Sequence, residues 1–454
     1  MSKVRSILFC LLFALSLKAK AADTNSLVWH TATGRVSAEI HAEPLLPLLE
    51  DIGRQTGWHI FVEPDVERNA STKFKELPSG EALKMLLGDL NFALVPQTNA
   101  SARLYVFRTT MQNATKPVIV AKAAPRRVAN ELLIRVKPGT DIDALAKSLG
   151  AKITGRIDKL GIYRLQFDDA AATDAALAQL KDNTDVSAVD YNYILDPPPS
   201  AQAVSPASLP PGAGAPLSLQ LNPPGASGKV VVGLIDMNVQ SLGSQLDKFI
   251  LPQISVAGNA PDSSDITHGT AMAYTILEAI AQVSGGGTSA QIQPVDVYGG
   301  SATTTSWNVA LGIQAAVDSG ANVLNMSLGS AGDSSVLDAL IKQAMADNIV
   351  MFGAAGNTPV GTPTYPGAIP GVNDVTALGG PGQLADYANY WSGDNLALPG
   401  TSFVIYGGQA YAVQGTSTAT ANASGVFAGT QAANAASAAQ IIAKMLAKFP
   451  VPTK

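Results

Sequence analysis

The chain has 454 residues, of which 46% are hydrophobic and 14% charged, and its formal net charge is −5. Such a length suits roughly two to four domains, and the apolar fraction excludes a largely disordered chain. The slightly acidic balance argues against a nucleic-acid binder that works by neutralising phosphates. No apolar run of about 18 residues follows position 22, as a membrane-spanning helix would require.

Residues 1–21 have the pattern of a secretory signal peptide. Lys3 and Arg5 precede the apolar run Ile7–Leu17, and Ala19-Lys20-Ala21 places small residues at the −3 and −1 positions of a cut after the last of these. An N-terminal membrane anchor is the alternative, although the run is short for a span. The only cysteine, Cys10, lies in this segment, so the exported chain would contain no disulfide.

Residues 23–110 have the pattern of a small α/β domain. The predicted strands lie at 36–40, 58–62 and 72–74, and two amphipathic helices carry Leu45, Leu48, Leu49 and Ile52, then Leu83, Leu86, Leu87 and Leu90. This order resembles the short N-terminal domain of secretins and TonB-linked proteins of the Gram-negative envelope. The resemblance leaves open an outer-membrane or TonB-linked partner. His30, His41 and His59 lack the spacing of metal ligands, so we interpret them as surface or hydrogen-bonded residues.

A polar linker, 111–129, precedes a second small module at 130–195. Its predicted strands are 132–136, 152–157, 161–167 and 186–191, with helices around 142–149 and 175–180. The sequence from Glu131 to Leu195, and above all its Asp190-Tyr191-Asn192-Tyr193, resembles the prodomain of subtilisin-like peptidases. An unrelated ferredoxin-like module is the alternative for this segment taken alone.

Residues 196–228 have the composition of a linker. Nine prolines fall between Pro197 and Pro224, which predicts an accessible proteolytic site.

Residues 229–454 have the pattern of a parallel α/β domain. Continuous apolar strands at 230–235, 292–298, 323–326 and 349–352 alternate with helices at 270–282, 306–319, 335–347 and 418–432. This alternation predicts a mostly parallel sheet covered by helices on both faces.

Three short motifs of this last domain carry residues suited to nucleophilic catalysis. A buried strand ends in Asp236, His268-Gly269-Thr270 opens a helix, and Ser417 lies between Gly415 and an Ala/Ser-rich helix. A serine hydroxyl needs an adjacent base, and that base needs a carboxylate to orient it. His268 is the only histidine beyond position 59, so the domain has one candidate for the base.

The order Asp, His, Ser and the surrounding residues resemble the subtilisin-like serine peptidases, or subtilases. The matching stretches are VVGLID, HGT and GTSTATA, with SWNVALGIQAAVDSGANVLNMSLGS, FGAAGN and TYPGAIPGV between them in the family order. The resemblance implies a subtilisin-like fold preceded by two small α+β domains. It also implies that Asp236 orients, His268 acts as general base and acid, and Ser417 is the nucleophile. Asn357 and the Ser417 amide would stabilise the oxyanion.

The same resemblance implies a substrate-binding edge and a first specificity pocket. Extended substrate would pair with Ser327, Leu328 and Gly329, and Ala354, Ala355 and Gly356 would wall the pocket with them. Because glycine and alanine leave room, we expect a medium or large apolar side chain to fit.

The sequence also departs from the family in several places. Met237-Asn238 follow Asp236 where a small hydroxyl residue and glycine are usual, and Ala421 replaces a proline. The resemblance leaves calcium open, but Gly285-Gly286-Gly287-Thr288 occupies the region of the calcium loop and the sequence offers no metal site. These departures favour a degenerate, slow or narrowly specific enzyme as the alternative to an ordinary peptidase.

From these features we predict an exported serine endopeptidase that is periplasmic or secreted in a Gram-negative bacterium. It would act on polypeptides without a cofactor. Its own prodomain would inhibit it until self-cleavage in or just before the Pro-rich linker. The alternative is a degenerate homologue that binds peptides in the envelope without cutting them. A third, intermediate hypothesis is a regulatory protease that acts on an envelope or TonB-linked partner recruited by the first domain.

Overall fold

The computed structural model describes residues 25–30, 34–96, 102–118, 125–213, 217–225, 228–391, 393–434 and 436–452. The predicted signal peptide lies outside these residues. The chain divides into two compact units, with the boundary between Val120 and Ala121. No helix within the described ranges is long and apolar enough to cross a membrane.

The first unit contains two helices and two small sheets. Its elements are β1 (Ser26–His30), β2 (Arg35–Pro44), α1 (Leu45–Thr56), β3 (His59–Val62), β4 (Asn69–Pro78), α2 (Ser79–Leu87), β5 (Asn91–Val95), β6 (Arg103–Phe107) and β7 (Lys116–Pro117). The sheets have the orders β1-β2-β4 and β5-β6-β3-β7. Both helices bury the predicted leucine faces in one core, and Gly57 ends α1 in the left-handed region.

The second unit begins with a module that has one sheet and two helices. Its elements are β8 (Arg127–Val136), α3 (Ile142–Ser148), β9 (Lys152–Ile157), β10 (Ile162–Gln166), α4 (Ala170–Lys181) and β11 (Val186–Leu195). Because β8 starts at Arg127, the module extends three residues into the predicted linker 111–129. The segment that follows contains two short strands, β12 (Gln202–Val204) and β13 (Gln220–Leu221).

The rest of the unit is a larger α/β domain. Its elements are β14 (Val231–Asp236), β15 (Ile254–Ser255), α5 (His268–Ser284), β16 (Gly287–Thr288), β17 (Gln291–Asp296), β18 (Thr304–Thr305), α6 (Ser306–Asp318), β19 (Val323–Met326), α7 (Ser335–Ala346), β20 (Val350–Ala354), β21 (Val372–Gly380), β22 (Gln383–Leu384), β23 (Leu396–Pro399), β24 (Thr401–Tyr406), β25 (Gln409–Gln414), α8 (Thr416–Ala433) and α9 (Ala438–Lys448).

The main sheet of this domain has the order β15-β17-β14-β19-β20-β21-β22, with β23 also paired to β21. Every pairing in it is parallel except that of β21 with β22. Alternate residues of β14 serve opposite faces, since Val232 and Leu234 pack with α5 and α8, whereas Val231 and Ile235 pack with α6 and α7. The predicted mostly parallel sheet with helices on both faces is therefore confirmed.

The structure differs from the predicted linker at 196–228, because two short segments of it form paired strands. Its strand β12 pairs antiparallel with β25, and its strand β13 pairs parallel with β16. The prolines do not prevent this pairing, because neither short strand contains one. Two segments between the prolines of the predicted linker are thus attached to the larger domain.

Candidate active site

Asp236 is held at the end of β14, in the middle of the main sheet. All six residues of this strand are buried, which explains its unbroken apolar run before the carboxylate. The Asp236 side chain is 1% exposed, and its Oδ1 accepts a hydrogen bond from the Met237 N–H at 2.7 Å. The carboxylate is therefore fixed at the carboxyl edge of the sheet, where parallel α/β folds place their functional groups.

His268 is the first residue of α5 and lies against Asp236. Thr267 caps this helix by accepting from the Thr270 N–H at 3.1 Å. The His268 Nδ1 lies 2.8 Å from Oδ1 and 3.0 Å from Oδ2 of Asp236. Gly269 allows this approach, since a Cβ there would lie 2.1 Å from the Met237 carbonyl oxygen. The structure thus brings the predicted carboxylate and base together.

The second ring nitrogen of His268 is buried and has no hydrogen-bond partner in the part of the chain that the structure describes. With Nδ1 turned to a carboxylate, a neutral imidazole carries its proton there and leaves Nε2 as the acceptor. An imidazole in this state can remove a proton from a hydroxyl that is brought to Nε2.

Ser417 is the second residue of α8, and it bonds to Ser327. Its Oγ donates to the Ser327 carbonyl oxygen at 3.0 Å, and the Ser327 Oγ donates to the Ser417 carbonyl oxygen at 3.0 Å. The Asn325 Nδ2 in turn donates to the Ser327 Oγ at 2.8 Å. Among the described residues, the predicted nucleophile therefore has its hydrogen bond to Ser327, and none to His268.

Asn357 is fixed beside Ser417 by its oxygen. The Asn357 Oδ1 accepts from the Thr416 N–H at 2.8 Å and from the Thr416 Oγ1 at 3.1 Å. With the oxygen occupied, the side-chain nitrogen is the atom that can donate to a developing oxyanion next to the nucleophile.

Asn389 supports this region and was not singled out from the sequence. The residue is 1% exposed. Its Nδ2 donates to the Ala355 carbonyl at 2.8 Å and to the Thr364 Oγ1 at 3.0 Å, and its Oδ1 accepts from the Thr358 N–H at 2.9 Å. These bonds hold the segment on both sides of Asn357. No sequence signal could have revealed them, because Asn389 lies in an irregular loop outside every motif.

The predicted substrate-binding residues lie in two segments near each other. Ser327, Leu328 and Gly329 follow the end of β19 at Met326, so they lie beyond the strand rather than in it. Ala354 ends β20, and Ala355 and Gly356 continue towards Asn357. Gly329 packs tightly, since a Cβ there would lie 2.5 Å from Thr364 Cγ2.

A second carboxylate and a phenol lie beside Asp236. Asp296 is the residue opposite Asp236 in the pairing of β17 with β14, and it is fully buried. Burial first, and then the charge of Asp236, raise the pKa of Asp296, while bonds from the N–H groups of Tyr298 and Gly299 oppose this change. Burial, followed by the charges of Asp236 and Asp196, raises the pKa of the Tyr298 hydroxyl. The site is thus acidic and poorly solvated.

The residues that depart from the family pattern, Met237, Asn238 and Ala421, fit into the fold, and the first two form hydrogen bonds through their backbone atoms. Besides the Met237 N–H bond to Asp236, the Asn238 carbonyl accepts from the Thr267 Oγ1 at 2.6 Å. Ala421 is fully buried within α8. Across the described ranges, no three His, Cys, Asp or Glu side chains converge as metal ligands. That the protein uses no metal stays a prediction.

Two family models match the chain. The model of the subtilase family matches residues 227–448, and that of the fervidolysin N-terminal prodomain matches residues 113–192. The match to the first model covers both segments of the candidate site and all four of Asp236, His268, Asn357 and Ser417.

Curated relatives match part of this chain. A thermostable alkaline protease of Halalkalibacterium halodurans is 34% identical over 39% of this chain and 52% of the relative. Subtilisin Savinase of Lederbergia lenta is 30% identical over 39% of this chain and 70% of the relative. Subtilisin NAT of Bacillus subtilis subsp. natto is 30% identical over 60% of this chain and 73% of the relative. The chain spans about half the length of the first curated relatives that it matches.

Two solved structures share the fold. Fervidolysin from Fervidobacterium pennivorans has a TM-score of 0.51 at 19% identity, over 68% of this chain and 55% of that one. A variant of the epidermin leader peptide processing serine protease of Staphylococcus aureus has a TM-score of 0.50 at 14% identity, over 66% of this chain and 88% of that one.

Proposed function

Because this chain belongs to the subtilase family, we propose that it is an exported serine endopeptidase made as an inhibited precursor. The observation that carries the proposal is the pairing of His268 with Asp236 at 2.8 Å, which leaves the Nε2 of His268 ready to accept a proton. The nucleophile is Ser417, and the substrate is a polypeptide.

The first half of the proposed reaction forms an acyl-enzyme. The Ser417 hydroxyl turns from the Ser327 carbonyl to the Nε2 of His268 and attacks the scissile carbonyl carbon. His268 takes the hydroxyl proton and then delivers it to the leaving amine as the C–N bond breaks. Asp236 keeps the imidazole oriented and stabilises its positive charge.

The second half returns the enzyme to its starting state. A water molecule attacks the acyl carbon, His268 takes one proton from it, and the same proton returns to the Ser417 oxygen as the ester breaks. In both halves the carbonyl oxygen becomes negative. The Asn357 Nδ2 and the Ser417 N–H are the donors proposed for that charge, and such donors act strongly in a site that excludes water.

Inhibition of the precursor is supported by the contacts of the module at 127–195. The Asp190 Oδ2 accepts from the N–H and the Oγ of Ser335, both at 2.5 Å, at the first turn of α7. A carboxylate at a helix N-terminus is favourably placed for both hydrogen bonding and the helix dipole. The module matches a prodomain model, and we propose that it acts as the chain's own inhibitor until self-cleavage.

Export and the role of the first unit form the remaining part of the proposal. Export rests on the basic, apolar and small residues of positions 3–21. The first unit would be a docking module, in keeping with the two-helix order that resembles the secretin and TonB domain. An outer-membrane or TonB-linked partner in a Gram-negative envelope is the partner we would test first.

Intact-mass analysis of wild type beside S417A, both incubated at neutral pH, tests the activity. We expect wild type to lose roughly its first 200 residues and the mutant to stay whole. If both stay whole, the activity proposal fails for the chain alone.

The second candidate is a peptide-binding homologue that does not cut. It is favoured by one observation, the hydrogen bond of the Ser417 Oγ to Ser327 rather than to His268. A fluorophosphonate probe discriminates the two, because it labels only an activated serine. Labelling of wild type and not of H268A would exclude the non-catalytic candidate.

A further inference from the structure

A third segment is attached to both of the segments that were predicted to wall the first specificity pocket. Tyr365 pairs with Ser330, at the end of the first wall, because the N–H of each residue donates to the carbonyl of the other at 2.9 Å. The second wall is joined through Asn389, whose N–H donates to the Gly356 carbonyl at 2.9 Å. The Asn389 side chain in turn bonds to Thr364. The residues at 364–365 are therefore held by contacts to both walls.

The side chain of Thr364 occupies the space in front of one glycine in each wall. A Cβ on Gly329 would lie 2.5 Å from the Thr364 Cγ2, and a Cβ on Gly356 would lie 2.7 Å from the Thr364 Oγ1. Both distances are well below van der Waals contact. The room that the two glycines leave is thus already taken by Thr364, which is itself 5% exposed.

A hydrogen bond fixes the Thr364 side chain in this place. Its Oγ1 accepts from the Asn389 Nδ2 at 3.0 Å, and the same nitrogen donates to the Ala355 carbonyl at 2.8 Å. Asn389 is 1% exposed, so rotation of Thr364 would take one of its partners from a buried amide, which is unfavourable. The branched Cβ of threonine also restricts χ1. The Thr364 methyl is consequently a fixed part of the pocket.

A fixed methyl group in a specificity pocket selects substrates by size. One methylene more or less in a hydrophobic pocket changes kcat/KM by about 10- to 200-fold. The side chains of glycine, alanine and serine end at or just beyond their Cβ, whereas leucine and phenylalanine extend several carbons further. Side chains of the second kind would meet Thr364, and a closely packed interior has little slack to move it aside.

We infer that Thr364 closes the first specificity pocket, so that this protein cuts after glycine, alanine or serine rather than after large apolar residues. The inference rests on the proposed peptidase function and names its substrate class. It reverses the expectation of a medium or large apolar side chain, because that expectation considered only the residues at 327–329 and 354–356. Thr364 determines specificity in this proposal and takes no part in the bond-breaking chemistry.

The experiment measures kcat/KM on two peptide p-nitroanilides that differ only in alanine or phenylalanine before the cut. The full-length protein is first incubated at neutral pH so that it can mature. We expect wild type to prefer the alanine substrate by at least ~10-fold. T364S removes only the methyl and keeps the Oγ1 that accepts from Asn389, and T364G removes the whole side chain. The ratio should move towards phenylalanine by about 10-fold or more in T364S, and further in T364G.

Two control variants separate size from other effects. Thr376 is also fully buried, and its Oγ1 donates to the Asn389 carbonyl at 2.7 Å, but it is not among the nearest neighbours of either glycine. T376S therefore loses the same methyl beside the same asparagine and should keep the wild-type ratio. T364V keeps the bulk but loses the hydroxyl, and it should still prefer alanine. A T364S ratio equal to that of T376S would contradict the inference.

Two further results would overturn it: a wild-type preference for phenylalanine, or the same ratio in wild type and T364G. Either result requires cleavage that S417A lacks, so the peptidase proposal would stand. If wild type cuts neither substrate, fluorophosphonate labelling distinguishes the two failures. Labelling of wild type but not of S417A shows an activated serine and overturns the pocket inference alone, whereas absence of labelling removes both proposals.

Discussion

The side chain of Asn192 joins the prodomain-like module to the first turn of α6. Its Oδ1 accepts from the Trp307 N–H at 3.0 Å, and its Nδ2 donates to the Glu131 carboxylate at 2.6 Å. The residue is fully buried. Both ends of this buried amide are hydrogen-bonded. If Asn192 were lost, the Trp307 N–H and the Glu131 carboxylate would be buried without this partner, which is energetically unfavourable.

The variant N192A should therefore loosen the inhibitory module. Leaving the Trp307 N–H and Glu131 without this partner should cost about 1–3 kcal/mol. The rate at which a fluorophosphonate labels the intact chain should rise about 5- to 100-fold. N183A, at a residue whose side chain accepts from Asp185 within one turn, is the matched control and should leave the rate unchanged. Equal labelling rates for both variants would contradict this role of Asn192.

The variant D236N should remove most of the activity without unfolding the protein. An amide in place of the carboxylate favours the wrong tautomer of His268, and this change lowers kcat by about 10⁴-fold in a peptidase with the same triad. The measurement is kcat of the matured enzyme on a peptide substrate. D262N, at an exposed loop position, should keep full activity. A D236N enzyme within tenfold of wild type would show that another group orients the base.

The variant N357D should lower kcat while leaving KM nearly unchanged. It keeps the Oδ1 that accepts from Thr416 but replaces the donor with a negatively charged oxygen. Removing this donor costs about 10²–10³-fold in kcat in a subtilisin, and N357A should fall in the same range. Steady-state kinetics of both variants give the answer. A rise in KM alone would indicate a role in binding the ground state instead.

The variant N389A should lower stability and turnover together. It removes three hydrogen bonds that hold the segment around Asn357 and leaves buried groups unpaired, at a cost of about 1–3 kcal/mol or more. Thermal midpoint and kcat are the two readouts. A lower midpoint with unchanged kcat would mean that the loop keeps its geometry without Asn389.

Stability should fall as the pH rises through neutrality because of Asp394. Burial, followed by the neighbouring charge of Asp374, raises the pKa of Asp394 from 3.8 to about 8. The folded protein holds this proton more tightly than the unfolded chain does. The stabilising contribution is therefore complete below about pH 4 and is lost as the pH rises through about 8.

Thermal midpoints at pH 6 and pH 9 check this expectation. D394N should reduce the loss between the two pH values relative to wild type, whereas D262N should keep it. An unchanged loss in D394N would assign the pH dependence to other groups.

The sequence predicted the parts of the fold that depend on neighbouring residues. The strands 152–157 and 323–326 coincide with β9 and β19 because each is a continuous stretch with clear ends. The helix starts were visible too, since Ser335 and Ser306 follow hydroxyl residues that cap α7 and α6. The order of Asp236 and His268 predicted their pairing through the family resemblance.

The parts that could not be predicted depend on pairing between distant residues. Asn389 bonds to Ala355, and Leu195 pairs with Thr304, over separations that no local pattern encodes. The strands β12 and β13 are two or three residues long, too short for any periodicity. Their pairing depends on edges that exist only once the larger domain has folded.

The attachment of β12 and β13 decides what a maturation cut would leave behind. If the chain opens between Leu195 and Gln202, the stretch from Gln202 onward is still bound to the hairpin of β24 and β25 and to β16. The newly formed N-terminus would carry a positive charge and would be held by β25, the strand that precedes Ser417 in the chain, instead of leaving with the module. The mature enzyme would then keep β12 and β13 as strands of its own sheets, although both lie outside the segment that carries the catalytic motifs.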